Sequence, residues 1–330
     1  MAISVVVPVY NEVQSVVTLN DEIVNVLNSI KQEYEIIYID DGSTDSSYDS
    51  LKKIAAVNHR VKVIKFTRNF GQSAALSAGV GFAKYEIVVT LDADLQNDPR
   101  DIPLLLEKLE YGYDLVSGWR KKRYDPFLTR KLPSVIANII IRMVTGVKLH
   151  DFGCTLKAYR KKFLVNIKIY GEMHRLLPAY LSAYGAKITE VVVNHRSREY
   201  GKSKYGLTRT FKVLLDLLTT KFMLGYSSKP SYILGGWGLF LCISGCICGA
   251  VVLVNKFMYN IYAYKQPLLW LAMFLGIIGT QFIAFGLLAE LVVRMYYSSE
   301  NKNSYMIDTI ISNNDANLQF DFGKTVEVKM

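Results

Sequence analysis

The chain has 330 residues, is 51% hydrophobic and carries a formal net charge of +10. Its four cysteines and four histidines lack the paired spacing of a zinc site, so a zinc module is excluded and the thiols read as structural. The positive charge suits nucleic acid, anionic lipid or a phosphorylated substrate and does not choose among them.

The N-terminal "MAISVVVPVYNE" has no basic leader and turns polar at once, so no cleavable signal is expected. "ISVVVPVY" reads as a strand, and the apolar residues of "EVQSVVTLNDEIVNVLNSI" have helical spacing. "YEIIYIDDGSTD" is a second strand ending in acids and a turn, "SSYDSLKKIAAV" a helix, and "VKVIKFTRN" a third strand. A helix of small residues, "QSAALSAGVGFAK", precedes the strand "YEIVVTL" and its polar end, "DADLQNDP". Strands alternating with helices predict an α/β fold with an open, mainly parallel sheet, whose ligands sit beyond the carboxyl ends of the strands. Polar residues gather at those ends: Asn11 and Glu12, Asp40 and Asp41, Arg68 and Asn69, Asp92 and Asp94. On an extended backbone Asp92 and Asp94 share one face while Ala93 turns away, a pattern fit for a divalent cation or for a solvated acidic turn.

Two look-alike motifs fail on context. "GVGFAK" at 79–84 follows a helix and precedes a strand, the wrong order for a dinucleotide loop. "GKS" at 201–203 has neither a preceding strand nor the upstream glycine of a phosphate-binding loop.

Further along, "GWRKKRYDPFLTRKLPS" concentrates basic charge. The stretches 133–146 and 207–226 are apolar with basic residues interspersed, and read either as helices at a membrane interface or as core helices. Ser231–Val254 and Gln266–Ala289 each run 24 residues without a charge, enough to cross a bilayer. Two spans return the chain to its starting side. Lys221, Lys229, Arg294 and Lys302 flank the outer ends against Lys256 and Lys265 in the connector, which favours a cytoplasmic soluble part. Glu290 and Arg294 are spaced as a local ion pair. The polar tail holds two strand-like pieces, "SYMIDTII" and "GKTVEVKM", which either stay disordered or pair with a neighbouring chain in a homo-oligomer. The expected domains are 1–226, soluble with interfacial helices; 227–297, membrane; and 298–330, a cytoplasmic tail.

"VVVPVYNE", "DDGSTD", "RNFGQSAAL", "LDADLQNDP" and "HRSREYGKSKYG", in this order, resemble a family-2 glycosyltransferase of the polyprenyl-phosphate type. The group includes dolichol-phosphate mannose synthase and bacterial undecaprenyl-phosphate glucosyltransferases. The resemblance implies a GT-A-type nucleotide-sugar domain. It places Pro8, Tyr10, Asn11, Glu12 and Asp41 at the nucleoside, with Asp40 orienting the loop and Ser43, Thr44 and Asp45 capping the next helix. Arg68 serves the nucleotide or fixes its loop by a salt bridge. Asp92, Asp94 and Gln96 would hold Mg²⁺ or Mn²⁺, Arg120 and Arg130 the acceptor phosphate, and Arg198, Lys202 and Ser203 the donor diphosphate. Asp94, Asp151 and Arg120 are the residues implied in catalysis, Asp151 as a positioner rather than an obligatory base. His150 is structural or at the sugar edge, and His174 and Arg175 touch the sugar or pack a helix start.

The implied reaction is inverting transfer of a hexose from a nucleotide sugar to undecaprenyl phosphate at the bacterial inner membrane. UDP-glucose is favoured, since "HDFGCTLKAYRKK" leans towards the UDP-using branch, and GDP-mannose is the alternative. A nucleic-acid partner is not expected. A processive polysaccharide synthase lacks support, because no "QxxRW"-type element follows the acidic motif and two spans are few to carry a polymer. A non-catalytic nucleotide-binding sensor is the competing class.

Overall fold

The structure is a computed structural model that describes residues 1–121, 132–165, 167, 169, 173–197, 230–298 and 305–312. The chain forms two compact units: Met1–Thr220 together with Asn303–Met330, and Lys221–Lys302.

The first unit is built on an eight-stranded sheet of spatial order β7-β5-β6-β4-β1-β2-β3-β8. Strands β1 (Ile3–Val9), β2 (Tyr34–Asp40), β3 (Val61–Phe66) and β4 (Ile87–Thr90) form its parallel half. Their apolar runs are buried on both faces, as parallel strands with helices on either side must be. Helix α1 (Val16–Ser29) lays Val16, Leu19, Ile23 and Leu27 into the core at spacings of three and four. Helix α2 is Ser47–Val57, and α3 is Gln72–Phe82. The small residues of α3 have a packing cause: a methyl group on Gly79 would lie 2.2 Å from Val6 Cγ1 and 3.0 Å from Ile39 Cδ1. Only glycine lets that helix press so closely on β1 and β2.

Beyond β4 come α4 (Ile102–Glu110), β5 (Leu115–Trp119), α5 (Leu132–Thr145), β6 (Lys157–Arg160), α6 (Lys161–Leu164), α7 (Met173–Ala183) and β7 (Ile188–Val192). Strand β6 runs antiparallel between β4 and β5, while β5 and β7 are parallel. The α/β expectation holds, with a mixed sheet. Four of its seven described pairings are parallel. On α5, Val135, Ile139 and Met143 recur every four residues and are exposed, an apolar stripe on the helix read as interfacial or core.

The tail strand β8 (Ile307–Ile311) pairs antiparallel with β3 of the same chain, whereas disorder or pairing with a neighbour had been expected. Lys65 Nζ meets Asp308 at 2.9 Å, and Tyr305 stacks on Phe66 with ring centroids 5.1 Å apart. These contacts cover an edge that would otherwise be open.

The second unit is a helical hairpin of α8 (Pro230–Tyr259) and α9 (Pro267–Ser298). Leu234–Tyr259 and Pro267–Ala289 have mean hydropathies of 2.3 and 2.1, long and apolar enough to cross a membrane. Only 17% and 11% of these stretches is buried, which is not how a soluble protein treats a core helix. The two backbones approach closely at glycines: a methyl on Gly279 would meet Cys242 Sγ at 2.6 Å and Gly238 O at 2.7 Å. At the turn, Gln266 donates to the carbonyls of Val252 and Ile261 and accepts from Asn255. The stretch 207–226, "GKTVEVKM", the "GKS" at 201–203 and the Glu290–Arg294 pair lie outside the residues and side chains described.

Candidate active site

Loops from adjacent parallel strands are clasped at their carboxyl ends. Asn11, at φ 55°, takes the left-handed conformation that asparagine tolerates. Its N–H donates to Ser43 Oγ at 3.0 Å, and its side-chain oxygen accepts from Thr44 N at 2.8 Å. Glu12 N donates to Ser47 Oγ at 2.8 Å. Ser43 and Thr44 were expected to cap α2 and instead bind the loop after β1. Asp45 does turn into the helix, accepting from Ser47 N at 2.9 Å.

Asp40 is buried and accepts from Ser43 N at 3.3 Å, an orienting contact for its loop. Asp41 accepts from Phe70 N at 2.7 Å and Gly71 N at 2.9 Å, one bond on each carboxylate oxygen. It therefore fixes the loop between β3 and α3. The Arg68 guanidinium lies over the Phe70 ring, 4.2 Å from its centroid, with no ion pair among the described residues. The alternative of a loop-fixing salt bridge is replaced by this cation–π contact.

After β4 the acidic motif alternates as its period predicts. Asp92, Asp94 and Gln96 are partly exposed, while Ala93 and Leu95 are buried. Leu95 sits at φ 59°, a strained value for a branched side chain and a signature of functional loops. The turn is held from outside by a segment far along the chain. Asn97 forms a β-bridge with His195, Arg196 N donates to Gln96 O at 2.9 Å, and Asn97 Nδ2 donates to Thr155 Oγ1 at 2.8 Å. The Arg196 side chain joins Glu22 and Asp98, each at 2.8 Å.

Burial, and next the neighbouring Asp94 charge, push the Asp92 carboxyl up to about 6. Gln72 Nε2 donates to Asp92 at 2.6 Å, and Asp94 accepts from Gln96 N at 3.2 Å. Two crowded carboxylates of this kind fit a divalent cation, which would relieve their repulsion with hard oxygen donors. Among the described residues no cluster of three or more His, Cys, Asp or Glu forms a full metal cage.

Arg120, directly after β5, donates to Asp151 through Nε at 2.7 Å and a terminal nitrogen at 3.0 Å. Both side chains are largely buried. Burial alone would lower the Arg120 pKa, but the Asp151 carboxylate more than offsets it and raises it. The expected acceptor ligand and the expected positioner are thus one forked pair. His150 is held by both Glu190 oxygens and stacks on Trp119 at 4.2 Å, a structural placement. His174 Nδ1 lies 2.9 Å from Ser73 Oγ at the start of α7. Pro8, Asp92, Gly153, Lys157, His174 and Arg175 line one cleft. Arg130, Arg198, Lys202 and Ser203 lie outside the described residues. Gln72, Lys157, Glu190 and Arg196 were not singled out from sequence: Gln72, Glu190 and Arg196 gain meaning only through partners far away in the chain, and Lys157 only through its burial.

The family model for glycosyl transferase family 2 matches residues 4–167, which carry the clasped loops, the acidic motif and the Arg120–Asp151 pair. Over 314 residues, 94% of this chain and 93% of the relative, the sequence is 38% identical to the dodecaprenyl-phosphate galacturonate synthase of Rhizobium johnstonii. The chain belongs to glycosyl transferase family 2, among the polyprenyl-phosphate glycosyltransferases. A second relative of this glycosyltransferase is the undecaprenyl-phosphate 4-deoxy-4-formamido-L-arabinose transferase of Proteus mirabilis, 34% identical over 94% of each chain. The fold is that of glucosyl-3-phosphoglycerate synthase from Mycobacterium tuberculosis, solved with Mn²⁺, UDP and phosphoglyceric acid. The match has a TM-score of 0.52 at 18% identity and covers 68% of this chain and 78% of that one. The GT-A expectation is met, and the two apolar helices together with these relatives support membrane association.

Proposed function

We propose that this glycosyltransferase moves a hexose from a UDP-linked donor to undecaprenyl phosphate, with inversion at the anomeric carbon. The observation that carries the reading is a juxtaposition at the strand ends: a crowded carboxylate pair just after β4 and a carboxylate-forked arginine just after β5, whose charge acts on Asp92. A lipid phosphate oxygen attacks the anomeric carbon, the bond from that carbon to the diphosphate breaks, and UDP leaves. The acceptor is already largely ionised at neutral pH, since a phosphate monoester loses its second proton near pH ~6, so no strong base is needed.

Asp92 and Asp94, with Gln96, would hold Mg²⁺ or Mn²⁺, which when bound offsets the charge of the departing diphosphate. Asp41 and the Asn11–Ser43 clasp shape the nucleoside pocket, with Pro8, Tyr10, Glu12 and Arg68 around it. Arg120, oriented by Asp151, and Arg130 receive the lipid phosphate, while Arg198, Lys202 and Ser203 meet the donor diphosphate. The exposed stripe on α5 supports docking at the lipid surface, with the catalytic unit on the cytoplasmic side of a bacterial inner membrane.

UDP-glucose is the favoured donor on the sequence, and the name of the Rhizobium relative supports galacturonate as a second reading for the sugar. The test is purified protein in detergent with undecaprenyl phosphate, Mg²⁺ and labelled UDP-glucose, UDP-galacturonate and GDP-mannose. Label entering the lipid phase from a UDP donor supports the reading and names the sugar. Label from GDP-mannose alone rejects the donor class. Nucleotide binding with no lipid label from any donor rejects the activity in favour of a sensor, and repeated elongation points to a polymer synthase.

A further inference from the structure

Lys157 opens β6, the antiparallel strand inserted between the strand of the acidic motif and the strand of Arg120. Its register partners are Thr90 on β4, two residues before Asp92, and Ser117 on β5, three residues before Arg120. Directly opposed residues share a sheet face, so Thr90, Lys157 and Ser117 make a polar row, and Thr90 and Lys157 line the cleft. Thr90 Oγ1 donates to Thr155 O at 2.7 Å, whereas Ser117 Oγ is buried with no hydrogen-bond partner among the described residues.

Lys157 is 2% exposed, and no carboxylate lies within ion-pair distance of it among the described residues. Its ammonium donates to the carbonyls of Phe152, at 3.2 Å, and of Cys154. A buried cation without an ion pair costs stability that an apolar chain of similar volume would restore. The place it occupies gives a reason to keep it. The two carbonyls flank Gly153, whose N–H donates to Asp151 Oδ1 at 3.0 Å, and the same carboxylate grips the Arg120 fork. One chain of contacts runs from the Lys157 ammonium through the 152–154 turn to Asp151 and Arg120.

We infer that Lys157 is a positioning residue for the acceptor side of the cleft: its ammonium gathers the 152–154 turn so that Asp151 presents the Arg120 fork to the incoming phosphate. The inference rests on the proposed lipid-phosphate reaction for its kinetic test and on geometry alone for its structural test. Lys157→Met keeps the length of the side chain and removes the donors and the charge, and Lys157→Arg keeps the charge.

Both variants are compared with wild type as full-length protein in detergent. The Met variant is expected to lose about 10- to 100-fold in kcat/KM for undecaprenyl phosphate, the range carried by a lost charge-assisted hydrogen bond. Its affinity for UDP with Mn²⁺ should stay within about threefold, and the Arg variant should recover part of the loss. Met-variant transfer within about twofold of wild type, or loss of UDP binding in step with transfer, would overturn the inference. A second readout uses Cys154, the fully buried last residue of this turn, in a background with Cys242, Cys246 and Cys248 changed to Ala. Alkylation of Cys154 should speed up in the Met variant and remain slow in the Arg variant, and an unchanged rate in the Met variant overturns the inference. If wild type transfers no sugar to lipid, the proposed function fails, and the alkylation rates still decide the role of Lys157.

Discussion

The two units solve opposite problems. In the sheet unit, apolar side chains are hidden and polar groups are concentrated at one set of strand ends, where each loop is fixed by a bond from the next. In the hairpin, large apolar side chains such as Trp237, Phe240, Trp270 and Phe274 face outward, and contact between the helices depends on Gly238, Gly245 and Gly279. The first arrangement is stabilised by water on its outside, the second by lipid. Chemistry belongs to the unit that can hold crowded charge. The hairpin supplies no ionised group along Leu234–Val254 and contributes anchorage.

The sharpest way to break this division is Asp94→Asn. Removing a proposed metal ligand should lower transfer by more than about 100-fold, beyond the effect of losing a supporting contact to such a ligand. Melting of the sheet unit should stay unchanged. Loss of fold together with activity would make Asp94 a structural residue.

Arg120→Met breaks a buried ion pair by removing one partner, and should destabilise the protein by about 3–5 kcal/mol while abolishing transfer. The double variant Arg120→Met with Asp151→Leu removes both charges and should recover most of the stability but none of the activity. Urea unfolding measured beside the transfer assay separates the two roles, and recovered activity in the double variant would deny Arg120 its task.

Asp92 supplies a pH test. Its folded carboxyl, at about 6, stands above the ordinary value of 3.8, so the metal-free fold holds a proton that the unfolded chain has released. Stability of the metal-free protein should therefore fall as pH rises through that window. A divalent cation needs the ionised carboxylate, so the rise in melting temperature caused by Mg²⁺ should be larger at pH 7 than at pH 5. An equal rise at both would remove Asp92 from the metal site.

The smallest effect on chemistry is expected from the hairpin. Gly279→Leu places carbon atoms where Cys242 and Gly238 already stand, at an overpacking cost of about 1–3 kcal/mol within that unit. UDP affinity should change by less than about twofold, as for a site with no shared partners. A larger change would show that the two units are energetically coupled.

Local period made half of the site legible. The alternation of Asp92, Ala93, Asp94, Leu95 and Gln96 is a strand-like pattern, and the structure exposes and buries them in that order. The parallel half of the sheet was readable for the same reason, since its strands are unbroken apolar runs between turns. Strands β5 to β7 were not assigned in advance. They are short, and β6 begins with a buried lysine that no apolar pattern marks. Arg120 and Asp151 were both singled out, yet their forked contact spans 31 residues and depends on how β5 and β6 pair. The strand in the tail was visible, while its partner β3, more than 200 residues earlier, was not.

In the proposed reaction an oxygen of the lipid monophosphate attacks the sugar carbon. Wild-type protein should be given undecaprenyl phosphate and the donor that labels it, and both products weighed by mass spectrometry. The account predicts a lipid monophosphate carrying one sugar, with UDP released. A lipid diphosphate sugar with UMP released would mean attack at phosphorus, and would contradict it.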